Sequence, residues 1–183
     1  MTSRAGKARP PFAQTAVRIF TANERMNQIV IESLDPAIWT VRPQGNVRSI
    51  AALFTHMHNM RAKWIRLTAP QLGVPARLHR TDCTQEQARA GLAVSAARCA
   101  EMLAELLGAG EGRTARFHRD ALAAPWPAGP EMLAYMLAHE AHHRGQACML
   151  AHQLARPLPS KVMAGIWNWE KLWRESGGKI GGR

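Results

Sequence analysis

Four separated stretches of this chain place apolar residues at the spacing of an amphipathic helix, and no stretch alternates in the manner of a half-buried strand. The first runs from about Gln14 to Leu34, where Val17, Phe20, Met26, Ile29, Val30 and Leu34 fall near one face and Asp35-Pro36 stops the pattern. In the second, Ile50, Leu53, Phe54, Met57, Met60 and Trp64 form a stripe ending near Pro70, with Asn46 expected as its N-cap. The third opens on a Thr84…Gln87 capping box, runs Ala- and Leu-rich to Leu107, and is closed by Gly108, Gly110 and Gly112. The fourth and longest starts after Gly129-Pro130 and continues to about Leu154, ahead of Pro157 and Pro159. A last short helix is expected from Lys161 to Arg174, carrying Ile166, Trp167, Trp169 and Trp173. These elements predict an all-α four-helix bundle with longer connections and a short C-terminal fifth helix.

A length of 183 residues suits one domain, expected over residues 13–175 between a flexible basic tail (1–12) and a Gly-rich tail (176–183). Hydrophobic residues at 46% can build a core, which excludes a disordered chain. Lys and Arg number 24 against 13 acids, a net charge of +11, so nucleic acid, an anionic surface and an acidic small molecule are the partners to weigh. Apportioned along the chain, residues 1–12 and 157–183 carry +3 each, residues 47–68 carry +4, and residues 130–156 are neutral. Charge spread in this way is the pattern of a solvated surface, and no helix-turn-helix, zinc-finger or aromatic RNA-binding motif accompanies it, so nucleic acid is not expected as the partner. Within residues 47–68, Arg48, Arg61, Lys63 and Arg66 would favour an anionic small molecule if they face a cavity. Cys83, Cys99 and Cys148 form no CxxC spacing and argue for a reducing, cytoplasmic setting. No apolar leader or membrane-length run is expected.

Eight histidines are the most informative placement. His139 and His143 lie four apart on the fourth helix, roughly 40° apart on one face and one turn above the other. Neutral imidazoles so spaced can aim ring nitrogens at one point, where Zn, Ni, Fe or Mn accepts them. His142 falls off that face. An i,i+4 pair alone also occurs as ordinary packing, so a site needs a ligand from another helix; the second helix offers His56 and His58, and the helical wheel does not choose between them.

His139-Glu140-Ala141-His142-His143 is literally H-E-x-x-H, the pattern of zinc proteases in which the Glu is general base. Its longer form fails, because Gln146 and Met149 stand where a Gly and a His are required, and an acidic third ligand would have to be Glu170 or Glu175. With no strand to hold a peptide, a protease is the less favoured reading.

Two further motifs cover more of the chain: Ser49-Ile50-Ala51-Ala52-Leu53-Phe54-Thr55-His56, and His139 to His143 followed by Arg144-Gly145-Gln146. Together with the downstream Arg156-Pro157-Leu158-Pro159 run, they resemble the DinB/YfiT-like family of metal-binding four-helix bundles. The resemblance selects His56 over His58 and implies a three-histidine centre of His56, His139 and His143 for a divalent metal ion with positions left for water or substrate. A cation there lowers the pKa of a water or of a thiol, so hydrolysis and thiol transfer are both accessible. Glu140 and Gln146 are candidates for supporting the ligands, Arg144 for capping a connection or pairing with an acid, and Gly145 for a close helix–helix approach. Family members are similar to S-transferases that use low-molecular-weight thiols such as bacillithiol or mycothiol, to mycothiol-dependent maleylpyruvate isomerase, and to proteins called metal-dependent hydrolases by analogy. The resemblance therefore implies a thiol transferase or hydrolase acting on a small molecule, as a homodimer; the alternative is a metal-binding stress or nucleic-acid-associated protein without turnover. The tryptophans are expected mainly in the core.

Overall fold

The computed structural model describes residues 12–45, 47–108, 116–118 and 124–179. Six helices are found there: α1 (Phe12–Ser33), α2 (Ile50–Thr68), α3 (Gln85–Gly108), α4 (Pro130–Gln153), α5 (Ser160–Ile166) and α6 (Trp169–Glu175). The four long ones pack as the expected all-α bundle, α1 on α3 and α4, α2 on α3 and α4, with α5 and α6 laid against α1. No helix among the described residues is long and apolar enough to cross a membrane.

Local chemistry explains the helix starts. Ser49 caps α2 by accepting from the Ala52 amide, and the expected Asn46 lies outside the described residues, as do residues 1–11, Gly110 and Gly112. The Thr84–Gln87 capping box forms in both directions, at 3.1 and 2.9 Å. Pro130 sits in the first turn of α4. The far end of α4 stops before the two prolines, because Ala155 takes a left-handed φ of 58° and the Arg156 amide reaches back to the Ala151 carbonyl.

The expected single C-terminal helix is two, broken at Trp167-Asn168, where Asn168 starts α6 by accepting from the Lys171 amide. Two short strands, β1 (Arg116–Phe117) and β2 (Trp126–Pro127), pair antiparallel beside α2, too short to show any alternation in sequence. The tryptophans divide: Trp64 and Trp39 are buried, whereas Trp167 is 78% exposed and Trp169 48%, since α5 and α6 turn Ile166 and Leu172 inward instead. Gly145 is no close-approach position, for a Cβ there would meet nothing within 4 Å. That role belongs to Gly91 on α3, where a Cβ would meet Leu78 at 2.7 Å and the His58 ring at 3.3 Å.

The apolar core is in two parts. One gathers Val30, Ile31, Ile50, Phe54 and Met57 with Ala147 and Leu150. The other gathers Phe20, Trp64, Ile65, Met102 and Leu103 with Met132 and Met136. Between them, α1 contributes Asn23, Glu24, Asn27 and Gln28, α2 contributes His58 and Arg61, and α4 contributes Glu140 and His143, all buried. Most of the buried polar side chains among the described residues lie in this waist.

Candidate metal centre

The α2–α4 contact brings His56, His139 and His143 together, with one ring nitrogen of each lying within 4.8 Å of the others. Ring centroids are 5.2 Å apart for His56–His139 and 4.7 Å for each of the other two pairs. The Nε2 atoms of His56 and His139 are 3.3 Å apart. Nitrogens bound to a tetrahedral metal at about 2.0–2.1 Å stand roughly 3.3–3.4 Å from one another, so this pair already has the spacing of two vertices of a tetrahedral coordination sphere. The donor set of three imidazoles fits a borderline divalent cation.

His143 is held by Gln146, whose Oε1 lies 2.7 Å from Nδ1. That nitrogen carries the proton and donates, which leaves Nε2 with its lone pair free for coordination. His139 is oriented by packing on Trp64 and Tyr135, at 5.4 and 6.3 Å between ring centroids. Its Nδ1 is buried and has no hydrogen-bond partner among the described residues. Burial, with the charges of His143 and Arg48 added, pushes the His56 pKa down to about 4. Burial and then His143 push His139 down to about 4 as well. His143 is lowered by burial, with the Gln146 bond working the other way. Three neutral rings at neutral pH present lone pairs with no proton to displace.

His58 faces away from this cluster. Its ring nitrogens lie 2.8 Å from the carbonyls of Gly91 and Ala76, tying α2 to α3 and to the connection before it. His142 is exposed, with its ring 4.9 Å from that of His143.

Glu140 follows His139 but projects about 100° around the helix, into the bundle interior. There its Oε1 accepts from Arg61 Nε at 2.6 Å and its Oε2 accepts from Arg61, Asn23 and Asn27 at 2.6, 2.6 and 2.8 Å. Arg61 is fully buried; it also bonds Glu24 at 2.6 Å and the Leu92 carbonyl at 2.9 Å, and stacks its guanidinium on Phe20. Burial opposes the Arg61 charge, and the carboxylates of Glu140 and Glu24 more than offset it, raising its pKa. Arg144 neither caps a connection nor meets an acid directly: it donates to the side-chain oxygens of Asn23 and Asn27, whose NH2 groups in turn hold Glu140. One network thus crosses all four long helices.

Of the four basic residues of α2 and its approach, Arg61 faces the bundle interior, whereas Arg48, Lys63 and Arg66 meet the condition of lining a cavity, one of about 620 Å³, together with His56. A second cavity of about 730 Å³ lies on the His143 side, lined by Val47, Leu53, Gly145 and Met149; Arg48 borders both. The bare Gly145 keeps this second space open. Glu170 and Glu175, the acidic ligands a protease would need, are exposed on α6 and pair with Arg174 and Arg25. Sequence reasoning missed Asn23, Glu24 and Asn27, although these polar residues interrupt an otherwise apolar helix face, and it missed Arg77 and Arg80, which belong to a connection with no helical register to read.

Residues 7–168 match the model described as the DinB family. No curated protein matches the chain.

Proposed function

Because the chain belongs to the DinB family and converges three histidines between α2 and α4, we propose that it is a metal-dependent enzyme acting on small molecules, with His56, His139 and His143 as the ligands of a divalent cation. A cation so held lowers the pKa of a coordinated water or thiol, which opens hydrolysis and thiol transfer at neutral pH. The chain's own residues do the rest. Gln146 fixes the tautomer of His143, Trp64 and Tyr135 set the plane of His139, and the Ser49 cap fixes the start of the helix that carries His56. The observation that carries the reading is the 3.3 Å approach of two Nε2 atoms with the third ring alongside. Separate cavities on the His56 and His143 sides leave room for two reactants to meet at the cluster, which favours S-transfer with a low-molecular-weight thiol over hydrolysis.

Glu140 is not available as the general base of an H-E-x-x-H peptidase, since both its oxygens are taken by buried donors. The test is metal analysis of the purified protein beside His56→Ala and His143→Ala. Stoichiometric metal in the parent and its loss in both variants is expected; metal retained in full by either variant would sink the site.

A further inference from the structure

We propose that the cavity between α2 and the connection over residues 74–80 is a binding site for a small polyanion, a molecule bearing phosphoryl groups or clustered carboxylates. As the substrate class of the enzyme this rests on the metal-centre reading; as a binding site it does not.

Five cationic side chains, Arg48, Lys63, Arg66, Arg77 and Arg80, line the cavity beside His56, and among the described residues no Asp or Glu lines it. Six arginines elsewhere, Arg25, Arg61, Arg89, Arg98, Arg156 and Arg174, meet carboxylates, and Arg144 is held by Asn23 and Asn27; what sets the cavity apart is the number of cations gathered on one wall. Arg48, Arg66, Arg77 and Arg80 form no ion pair with any described residue. Gathering like charges around one concavity is unfavourable until an anion enters it, and the same field draws anions in. Guanidinium groups match phosphate and carboxylate oxygens two at a time.

The cations are placed from two directions. His56, Asn59, Lys63 and Arg66 recur at i, i+3, i+7 and i+10 and so share one face of α2. Arg77 and Arg80 are supplied by the connection, which is clamped to α2 rather than loose. Asn59 donates to the Leu78 carbonyl at 2.9 Å and accepts from the Leu78 amide at 3.0 Å, and the His58 ring meets the Ala76 carbonyl at 2.8 Å. Arg77 is thus bracketed by two anchored residues. A volume of about 620 Å³ is that of a small-ligand pocket. A single-stranded nucleic acid would need aromatic platforms along an open track, and no Phe, Tyr or Trp lines this cavity. His56 in the wall puts the anion's neighbouring atoms beside the histidine cluster, so the pocket selects which molecule presents its reacting end there.

The experiment is calorimetric titration of inorganic pyrophosphate, and separately of citrate, into the full chain stripped of metal with a chelator. The parent is compared with an Arg77→Ala/Arg80→Ala double variant, whose exposed positions leave the urea unfolding midpoint unchanged. The parent is expected to bind at least one probe, more weakly as salt rises, and the double variant to bind it roughly tenfold or more weakly. Preference for pyrophosphate or citrate assigns the ligand to phosphoryl or carboxylate chemistry. The proposal is overturned if the parent binds neither probe, if the double variant binds like the parent, or if a single-stranded oligonucleotide binds and pyrophosphate does not displace it. Metal bound without polyanion sinks this pocket alone, and polyanion bound without metal sinks the metal centre alone.

Discussion

Two polar clusters share the waist of this bundle and differ in how far their hydrogen-bonding capacity is used. Arg61, Glu24, Glu140, Asn23, Asn27 and Arg144 form a network in which each carboxylate faces a cation or an amide, with the Arg61–Glu140 pair wholly shielded from water. His56, His139 and His143 lie on the other side of the same helix pair, with nitrogens that face one another and, among the described residues, no partner for the buried Nδ1 of His139. Both clusters draw on neighbouring positions of α4, since His139 and Glu140 are adjacent in sequence. Satisfaction marks the first as the lock that registers the four helices; unsatisfied lone pairs converging on a point mark the second as a place for a ligand.

The largest expected effect comes from breaking the lock. Arg61→Ala removes the cation from between two buried carboxylates and should cost about 3–5 kcal/mol of folding stability, read as a lowered urea midpoint in the metal-free protein. Glu24 and Glu140 would then be buried with amide partners but without the Arg61 charge, and desolvation already raises the Glu24 pKa in the intact network. His56→Ala should leave that midpoint nearly in place. If the two variants destabilise equally, the division between a structural and a ligand-binding cluster fails.

Much of this was legible in the sequence where periodicity and motif coincide. The four long helices followed from apolar spacing bounded by Pro and Gly, and the capping box at Thr84 formed as the spacing implied. His139 and His143 were readable as a pair because one helix places both. The choice of His56 over His58 was not, since both sit at the edge of the α2 stripe; what separates them is that His58 spends its nitrogens on two carbonyls from other segments. The burial of Arg61 was not legible for a related reason. A lone basic residue in an amphipathic helix looks solvated until its partners are known, and these come from positions 37 and 79 residues away. Trp167 and Trp169 show the converse, where aromatic character suggests a core that the break at Trp167-Asn168 rotates outward.

A smaller effect separates orientation from ligation. Gln146 is exposed and touches the cluster through one hydrogen bond to His143 Nδ1. Gln146→Ala should weaken metal affinity by about 10–100-fold while the urea midpoint stays within about 0.5 kcal/mol of the parent. Competition with a chromogenic chelator reads the affinity. An unchanged affinity would mean that packing alone sets the His143 ring, as it does for His139.

The smallest effect is the response of the metal-free protein to acid, where the two clusters pull in opposite directions. Folding lowers the pKa of His56 and His139 from 6.5 to about 4 and lowers that of His143 too. Between those values the unfolded chain binds more protons than the native one, so stability is full at neutral pH and falls as pH drops through that window. Glu24 has the reverse sign: its raised pKa means the native state takes up a proton before the unfolded state does, which lends stability as pH falls toward 4.5. With three rings against one carboxyl, the net slope should be a loss, measured as a urea midpoint that declines from about pH 7 to about pH 4.5. His56→Ala removes one of the three contributions and relieves part of the crowding on the others, so its midpoint should decline less steeply. Equal slopes in parent and variant would show that the rings are not held neutral by burial, and the contrast between a saturated lock and a cluster of waiting lone pairs would lose its electrostatic half.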